Sequence, residues 1–219
     1  MASCYFYQLL IQECQQQYNC AADSDFPLMT IINYPFADML TAENCRNNRP
    51  ILVKQLQTCI DHLAAQGASI IAIACNTLHT ILPNIVIPVG IELVHIARIT
   101  VNKAISLKCR SGLILATSTT IALRLYQAQE FVCIYPTAKE QTIIDRIIKK
   151  ILHDDIDEKD SIQLGAIISR YTVDSVILGC TELPLLHKQH PLKIAQSIAI
   201  LDSSALLAAC IIQKWHSQK

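Results

Sequence analysis

The chain has 219 residues, of which 52% are hydrophobic and 16% charged, so it is long enough and apolar enough to bury a large core. Eighteen basic and eighteen acidic residues cancel, and no basic stripe is interleaved with aromatic residues, which argues against a nucleic-acid partner. No run of about 18 uninterrupted apolar residues occurs, so no membrane span is predicted. These properties favour a globular protein that binds a small molecule.

The ten cysteines bear on the cellular compartment. The amino-terminal sequence MASCYFYQLL lacks the basic segment and apolar run of a secretory signal, and the chain is too rich in core residues for a small disulfide scaffold. We therefore predict reduced thiols and a cytoplasmic location.

Apolar periodicity and turn residues divide the chain into alternating elements. In chain order, the first part predicts a helix at 3–18, a strand at 27–34, a helix at 51–66 that ends at Gly67, a strand at 70–75, a short helix that ends at Pro83 and a brief apolar segment at 85–90. The second part predicts a helix at 91–107, strands at 111–117 and 130–136 around a helix at 121–129, helices at 142–152 and 162–170, strands at 175–180 and 193–201 and a helix at 203–215. Strands separated by helices predict parallel α/β architecture with the ligand at the carboxyl ends of the strands.

Two stretches of the chain share one design. In IIAIACNTLH (residues 70–79) and SVILGCTELP (residues 175–184), an apolar run ends in a cysteine, Cys75 or Cys180, that is followed by small polar residues able to cap a helix. From 75 to 180 the separation is about 105 residues, nearly half the chain, as expected if two similar halves each contribute a strand end to one cleft.

The repeat predicts two domains that share a site. The first α/β domain is predicted at residues 1–97, with the C-terminal helix at 207–219 joined to it, and the second at residues 98–206. This division follows from the repeated motifs, because no Gly, Ser or Pro linker marks the boundary.

A cysteine between a buried strand and a helix start lies near unpaired backbone N–H groups, which favour anions. That setting is expected to lower a thiol pKa from about 8.5 towards neutrality, or to hold a substrate carboxylate through Asn76 and Thr77. A thiolate and a thiol on opposite sides of one carbon form the acid/base pair that inverts a stereocentre. For Cys75 and Cys180 taken singly, an inert core role is equally open, and the other eight cysteines are interpreted as structural.

His79 lies four residues after Cys75, so on a helix the two side chains share a face, as a pair of metal ligands would. A zinc site needs three or four ligands at supporting spacings, and neither CxxC nor HExxH occurs in the chain. We predict no metal, and expect His79 to orient or polarise the Cys75 region or to cap its own short helix.

Together, ACNTLH and GCTELP resemble the aspartate/glutamate racemase superfamily. The aspartate racemase branch is the more similar, because Glu182 follows Thr181 where glutamate racemases usually have histidine. LATSTT at residues 115–120 resembles a third motif of the family. The resemblance implies an α/β fold of two pseudo-symmetric domains, each a mostly parallel sheet flanked by helices, with the active site in the cleft between them.

The same resemblance implies an activity and an assembly. The protein would be a homodimeric amino-acid racemase without pyridoxal phosphate, metal or other cofactor. Cys75 and Cys180 would each remove the α-proton from one enantiomer and return it to the other face.

The resemblance also assigns substrate-binding residues. The α-carboxylate and the developing carbanion would be bound by hydrogen-bond donors at Asn76, Thr77, Thr117, Thr120 and Thr181. Glu182 would hold the substrate ammonium or tune Cys180.

Two departures from the family pattern concern the walls of the site. Members usually begin with a strand and a Gly-Gly-Met-Gly-Pro-like loop, whereas MASCYFY corresponds to the segment just after such a loop, so one wall is expected to be missing. NYPFADML, at residues 33–40, has no cation where aspartate racemases often carry an arginine for the side-chain carboxylate. Asn33 and Tyr34 then suit a less acidic side chain, unless Arg46 or Arg49 reaches in.

The leading hypothesis is a racemase with aspartate or glutamate as the favoured substrate. One alternative keeps the fold but uses one or both cysteines for isomerisation or decarboxylation of a carboxylic acid. Another is a relative that binds an amino acid or carboxylate without catalysis.

Overall fold

The computed structural model describes residues 2–218 as helices packed around two parallel sheets. Within this range the α-helices are α1 (Ala2–Tyr18), α2 (Ala42–Asn47), α3 (Arg49–Ala65), α4 (Ile96–Ser106), α5 (Ser118–Ala122), α6 (Ala138–Leu152), α7 (Glu158–Ile168), α8 (Leu183–Gln189) and α9 (Ser203–His216). The strands are β1 (Ile70–Ala72), β2 (Glu92–Val94), β3 (Ser111–Leu115), β4 (Val132–Ile134), β5 (Ser175–Leu178) and β6 (Ala199–Asp202). Short 3-10 helices lie at Asp23–Asp25 and Thr77–Asn84.

The larger sheet has the order β4-β3-β5-β6 with every pair parallel. Ile144 of α6, Leu164 of α7 and Leu186 of α8 belong to the core on one face. Ala97 of α4 and Tyr126 belong to the core on the other. Because both faces are covered, all four residues of β5 are buried, which explains the continuous apolar run that precedes Cys180.

The smaller sheet consists of β1 and β2, which pair in parallel with Ile70 opposite Glu92. Leu56 and Ile60 of α3 pack in one core cluster with Ile71. Leu207 of α9 packs in another with Ile70 and Ala72. Helix α9 also contacts α1 and α4, so the carboxyl end of the chain covers the smaller sheet. The α/β class and the parallel pairing are as predicted.

Residues 27–34, predicted as the first strand, pair with no other strand of the described chain. Among residues 2–218, residues 27–33 form no backbone-to-backbone hydrogen bond, and the Leu28 side chain is 99% exposed. β1 pairs with β2 alone in this range, and β1 and residues 27–34 both line one groove. A strand needs a hydrogen-bonded neighbour, and because residues 27–34 have none among residues 2–218, they do not form one.

Two further boundaries differ from the prediction. The second strand of the smaller sheet lies at Glu92–Val94 rather than in the apolar segment 85–90, because Gly90 turns the chain at φ +85 and His95 then caps α4 by accepting from the Arg98 N–H. Helix α5 ends at Ala122, not at 129, since Arg124 adopts a left-handed conformation at φ +49. The other predicted helices and strands are confirmed within a few residues, apart from the last strand, which is confined to Ala199–Asp202.

Two further findings concern the cysteines and the length of the helices. Each of the ten cysteines is free of a disulfide. None of the helices in residues 2–218 is both long enough and apolar enough to cross a lipid bilayer.

Candidate active site

Cys75 and Cys180 follow the carboxyl ends of β1 and β5 and line the same cavity, which has a volume of about 840 Å³. Burial is the main cause of the raised pKa of Cys180, and a negative charge on Cys75 acts in the same direction. Among the other predicted site residues, those lining this cavity are Asn33, Asn76, Thr77, Thr117, Thr181 and Glu182. The fold therefore brings the two repeated motifs together, and residues of both sheets form one site.

The Cys75 thiol sits against the start of the Thr77–Asn84 helix. Burial raises its pKa to about 11, even though the backbone N–H groups of Leu78 and Thr77 act in the opposite direction. The predicted lowering of the thiol pKa is therefore wrong for this protein, because loss of solvent outweighs the helix start. The negative charge of Glu182 adds to the increase.

Cys180 is held by a carboxylate. Its Sγ donates a hydrogen bond to Glu182 Oε2 at 2.9 Å, and Thr181 Oγ1 donates to the same oxygen at 3.0 Å. Burial is the largest cause that raises the pKa of Cys180 well above its ordinary value. The negative charge of Glu182 and its hydrogen bond from the thiol add to this increase. Glu182 thus contacts Cys180 directly, and its predicted role towards the substrate ammonium or the Cys180 thiol stays a prediction.

Glu182→Gln is expected to move the pH dependence of the reaction. Its negative charge raises the pKa of both cysteines, so removing that charge lowers them, and a thiolate forms at lower pH. If a thiolate is the base, kcat/KM of the unmodified protein rises with pH towards the Cys75 pKa of about 11, and the variant reaches the same rise at lower pH. Profiles from pH 7 to 10 with one substrate measure this, because titration of the substrate amine is then common to both proteins. An unmoved or alkaline-shifted rise contradicts it.

Three threonine hydroxyls form a buried cluster between the two sheets. Thr77 Oγ1 lies 3.1 Å from Thr117 Oγ1 and 3.3 Å from Thr120 Oγ1, and Thr117 Oγ1 donates to Thr120 Oγ1 at 3.1 Å. Thr77 comes from the segment after β1, whereas Thr117 and Thr120 come from the segment after β3. The residues of LATSTT therefore meet the first cysteine motif at one point, where hydroxyl donors can face an anion.

The Asn76 amide is fixed by two residues that sequence reasoning missed. Its Nδ2 donates to Ser203 Oγ at 3.2 Å, and its Oδ1 accepts from the Tyr126 hydroxyl at 2.5 Å. The Tyr126 ring also packs closely against Gly179, because a Cβ on this glycine would lie 2.9 Å from the ring. The only feature of the sequence that pointed to this packing was Gly179, the glycine before Cys180. Asn76 thus has a positioning contact in addition to its predicted place in the site.

His79 supports the backbone of Cys75. Its Nδ1 lies 2.8 Å from the Cys75 carbonyl oxygen, and its Nε2 accepts from the Ile96 N–H at 3.2 Å. Nδ1 is therefore the protonated nitrogen, which donates to the carbonyl. Burial, the largest cause, lowers the pKa of His79 to about 4. These contacts agree with the prediction that His79 orients the Cys75 region.

The neutral form of His79 predicts an acid-sensitive fold. Because its folded-state pKa of about 4 lies below the ordinary histidine value of 6.5, the folded protein binds fewer protons than the unfolded chain between these pH values. The resulting stabilisation is complete above pH 6.5 and is lost as pH falls towards 4, with a size of about 3 kcal/mol. Urea unfolding at pH 7 and pH 4.5 measures it.

His79→Asn keeps a donor near the Cys75 carbonyl but removes the titrating ring. We expect this variant to be less stable at pH 7 and to lose less free energy of unfolding on acidification. His153→Asn, at an exposed position, is the control and should keep the full acid dependence. Equal acid dependence in the His79 variant and the unmodified protein would falsify this assignment.

The predicted side-chain pocket lacks the cations that were considered for it. Asn33 lines the cavity but is exposed, and its Oδ1 accepts from Ser3 Oγ at 3.5 Å. Arg46 is exposed, and Arg49 donates to Asn84 Oδ1 at 2.7 Å. Neither arginine lines the cavity, so the expectation that one of them reaches in is wrong. Across residues 2–218, no group of three or more His, Cys, Asp and Glu side chains is arranged to hold a metal ion.

Known proteins resemble this chain in both sequence and fold. Residues 1–211 match the family model described as Asp/Glu/Hydantoin racemase. The chain is 28% identical to the Bacillus subtilis (strain 168) protein named broad specificity amino-acid racemase RacX, covering 96% of this chain and 91% of that protein. Its fold is similar to that of Picrophilus torridus aspartate racemase, with a TM-score of 0.79, 22% identity, and coverage of 97% of this chain and 88% of the other. An aspartate racemase homologue from Pyrococcus horikoshii OT3 gives a TM-score of 0.72 at 22% identity, with 99% and 94% coverage.

Proposed function

Because the chain belongs to the Asp/Glu/Hydantoin racemase family, we propose that it is a cofactor-independent amino-acid racemase in which Cys75 and Cys180 are the acid and the base. The observation that supports this most is that both cysteines line one cavity at the carboxyl ends of parallel strands. A cysteine on each side of Cα can remove the proton from one face and return a proton to the other.

The proposed reaction moves one proton at a time. The thiolate of one cysteine takes the α-proton and becomes a thiol, and the electron pair stays on the substrate as a carbanion delocalised into the carboxylate. The thiol of the other cysteine then protonates Cα from the opposite face and becomes a thiolate. Charge and protons balance, and the next turnover runs in the reverse sense or follows proton exchange with solvent.

The surroundings of the two thiols support specific roles in this scheme. The hydroxyls of Thr77 and Thr117, which line the cavity, are proposed to bind the carboxylate and the charge that develops on it, and Thr120 is hydrogen-bonded to both. Both thiols have raised pKa values, so the first thiolate must be stabilised when substrate binds. The positive ammonium group of an amino acid supplies that stabilisation, because an opposite charge favours the ionised thiol.

The proposed substrate is an α-amino acid. Similar structures are named as aspartate racemases, and the Bacillus relative is named as broad in specificity. The racemisation assay therefore includes acidic and neutral amino acids.

Assembly and location are proposed on the resemblance. We propose a cytoplasmic homodimer whose chain divides into domains 1–97 and 98–206, with the C-terminal helix at 207–219 joined to the first. The packing of α9 against α1 and β1 supports that helix assignment. Light scattering of the purified protein tests the dimer, and a monomer at all concentrations contradicts it.

The direct test of the activity is solvent isotope incorporation. Each enantiomer of an amino acid is incubated with the protein in D₂O, and deuterium at Cα and optical inversion are measured together. The proposed racemase incorporates deuterium and converts both enantiomers without added pyridoxal phosphate. The proposal fails if no amino acid in a broad panel shows exchange or inversion.

One observation favours a second candidate, a relative that binds an amino acid without catalysis. Both thiols favour the protonated form in the free protein. Calorimetry distinguishes the two: saturable binding with no isotope exchange supports the binding protein. Turnover of maleate or a malonate without inversion of any amino acid instead supports the isomerase or decarboxylase alternative.

A further inference from the structure

The charged side chains around the cavity bear on which amino-acid side chain the substrate carries. Among the described residues that line it, Glu182 is the one acidic side chain, and no lysine, arginine or histidine is present. The carboxylate of Glu182 already accepts from Cys180 and Thr181. A second carboxylate on the substrate side chain would therefore meet a like charge and no counter-charge.

The wall beside Cys75 is apolar. Phe36 and Met39 pack in the same hydrophobic cluster as Cys75. Thr119 Oγ1 donates to the Met39 carbonyl oxygen at 3.0 Å, which ties this wall to the segment that carries the threonine cluster. The Tyr34 and Phe36 rings lie 5.1 Å apart, and both residues line the cavity. These contacts fix an aromatic and aliphatic surface next to the proposed reacting carbon.

The arginines of the nearby segments have other partners or face solvent. Arg49 donates a hydrogen bond to Asn84, and Arg46 is exposed to solvent. Burying a carboxylate without a cation or several donors is costly, whereas an aliphatic side chain gains by leaving water. The balance of charge and surface therefore favours a neutral side chain.

We propose that this cavity selects α-amino acids with neutral, apolar side chains of the size of leucine, methionine or phenylalanine over aspartate and glutamate. The inference rests on the proposed function and narrows its substrate class. The side chain would contact Tyr34, Phe36 and Met39, while the carboxylate and ammonium remain at the threonine cluster and Glu182.

The test measures binding and turnover separately. Calorimetry compares leucine, methionine, aspartate and glutamate with the unmodified protein, and deuterium incorporation gives kcat/KM for both enantiomers of each. We expect leucine and methionine to bind more tightly than the acidic pair, and their kcat/KM to be about 100-fold higher, a ratio within reach of an apolar pocket. Aspartate or glutamate equal to or better than leucine in binding overturns the inference, as does binding of none of the four.

The two failures are distinguishable. If leucine binds more tightly than aspartate but no amino acid undergoes exchange, the selectivity of the cavity stands and the racemase assignment fails. If aspartate undergoes exchange faster than leucine, the racemase assignment stands and the selectivity is wrong.

A charge placed in the apolar wall gives a second measurement. Tyr34→Arg is expected to reduce the preference for leucine over aspartate at least tenfold, because it supplies the missing cation. Tyr18→Arg is the matched control, since Tyr18 is also half-buried but does not line the cavity. A preference unchanged in Tyr34→Arg, with circular dichroism showing a folded protein, argues against the assigned wall.

Discussion

Replacing either Cys75 or Cys180 by serine is expected to lower kcat/KM for racemisation by at least about a thousandfold, because a serine hydroxyl does not ionise where a thiol does. In the proposed scheme each cysteine removes the proton from one enantiomer, and the other protonates the opposite face. A single replacement therefore breaks inversion in both directions.

The two serine variants should differ in isotope exchange. The remaining cysteine can still take a proton from its own enantiomer and return deuterium to the same face. Cys75→Ser should thus retain exchange without inversion for one enantiomer, and Cys180→Ser for the other. Cys109→Ser is the matched control, because Cys109 is 7% exposed against 6% for Cys180 but does not line the cavity. Full inversion in either active-site variant rules out the two-cysteine mechanism.

Thr77→Val is expected to lower kcat/KM about a hundredfold, which is the scale for losing one well-placed donor to a developing charge. Valine keeps the shape of threonine, while the hydroxyl contacts with Thr117 and Thr120 disappear. The loss should fall mainly on kcat if the hydroxyl acts on the transition state, and mainly on KM if it binds the carboxylate equally throughout.

Thr100→Val provides the comparison for that measurement. Thr100 is fully buried, and its hydroxyl donates within α4 to the Ile96 carbonyl oxygen at 2.8 Å, outside the cavity. The Thr100→Val substitution removes a threonine hydroxyl from a buried position, as Thr77→Val does. A Thr77 variant as active as the Thr100 variant excludes the hydroxyl cluster from the reaction.

The sequence was sufficient to locate the two cysteine motifs because their signal is local. A buried strand produces a continuous apolar run, and in both motifs small polar residues follow the cysteine that ends this run. Because the two motifs recur about 105 residues apart, the repeat predicted two similar halves that each contribute one strand end to a shared cleft. The meeting of Thr77 with Thr117 was accessible only through the family resemblance, since nothing local connects residues 77 and 117.

Other features depend on contacts that a linear pattern does not contain. PLMTIINY has the composition of a strand, yet residues 27–34 pair with no strand among the described residues, because pairing depends on a neighbour. The pKa of Cys75 follows burial rather than its position at a helix start, and burial of a single thiol is decided by distant segments. Tyr126 fixes Asn76 from 50 residues away, without a motif of its own.

Among residues 2–218, one edge of β1 pairs with no strand, and this edge has a consequence for the behaviour of the protein in solution. Leu28 and Ile31 are 99% and 55% exposed in the extended segment that shares the groove with that edge. Free strand edges beside apolar side chains are templates on which further chains add, the first step towards sheet-mediated aggregation. Protein concentration and storage time therefore belong among the controlled variables of every assay, because self-association through this groove would close the cavity that contains Cys75.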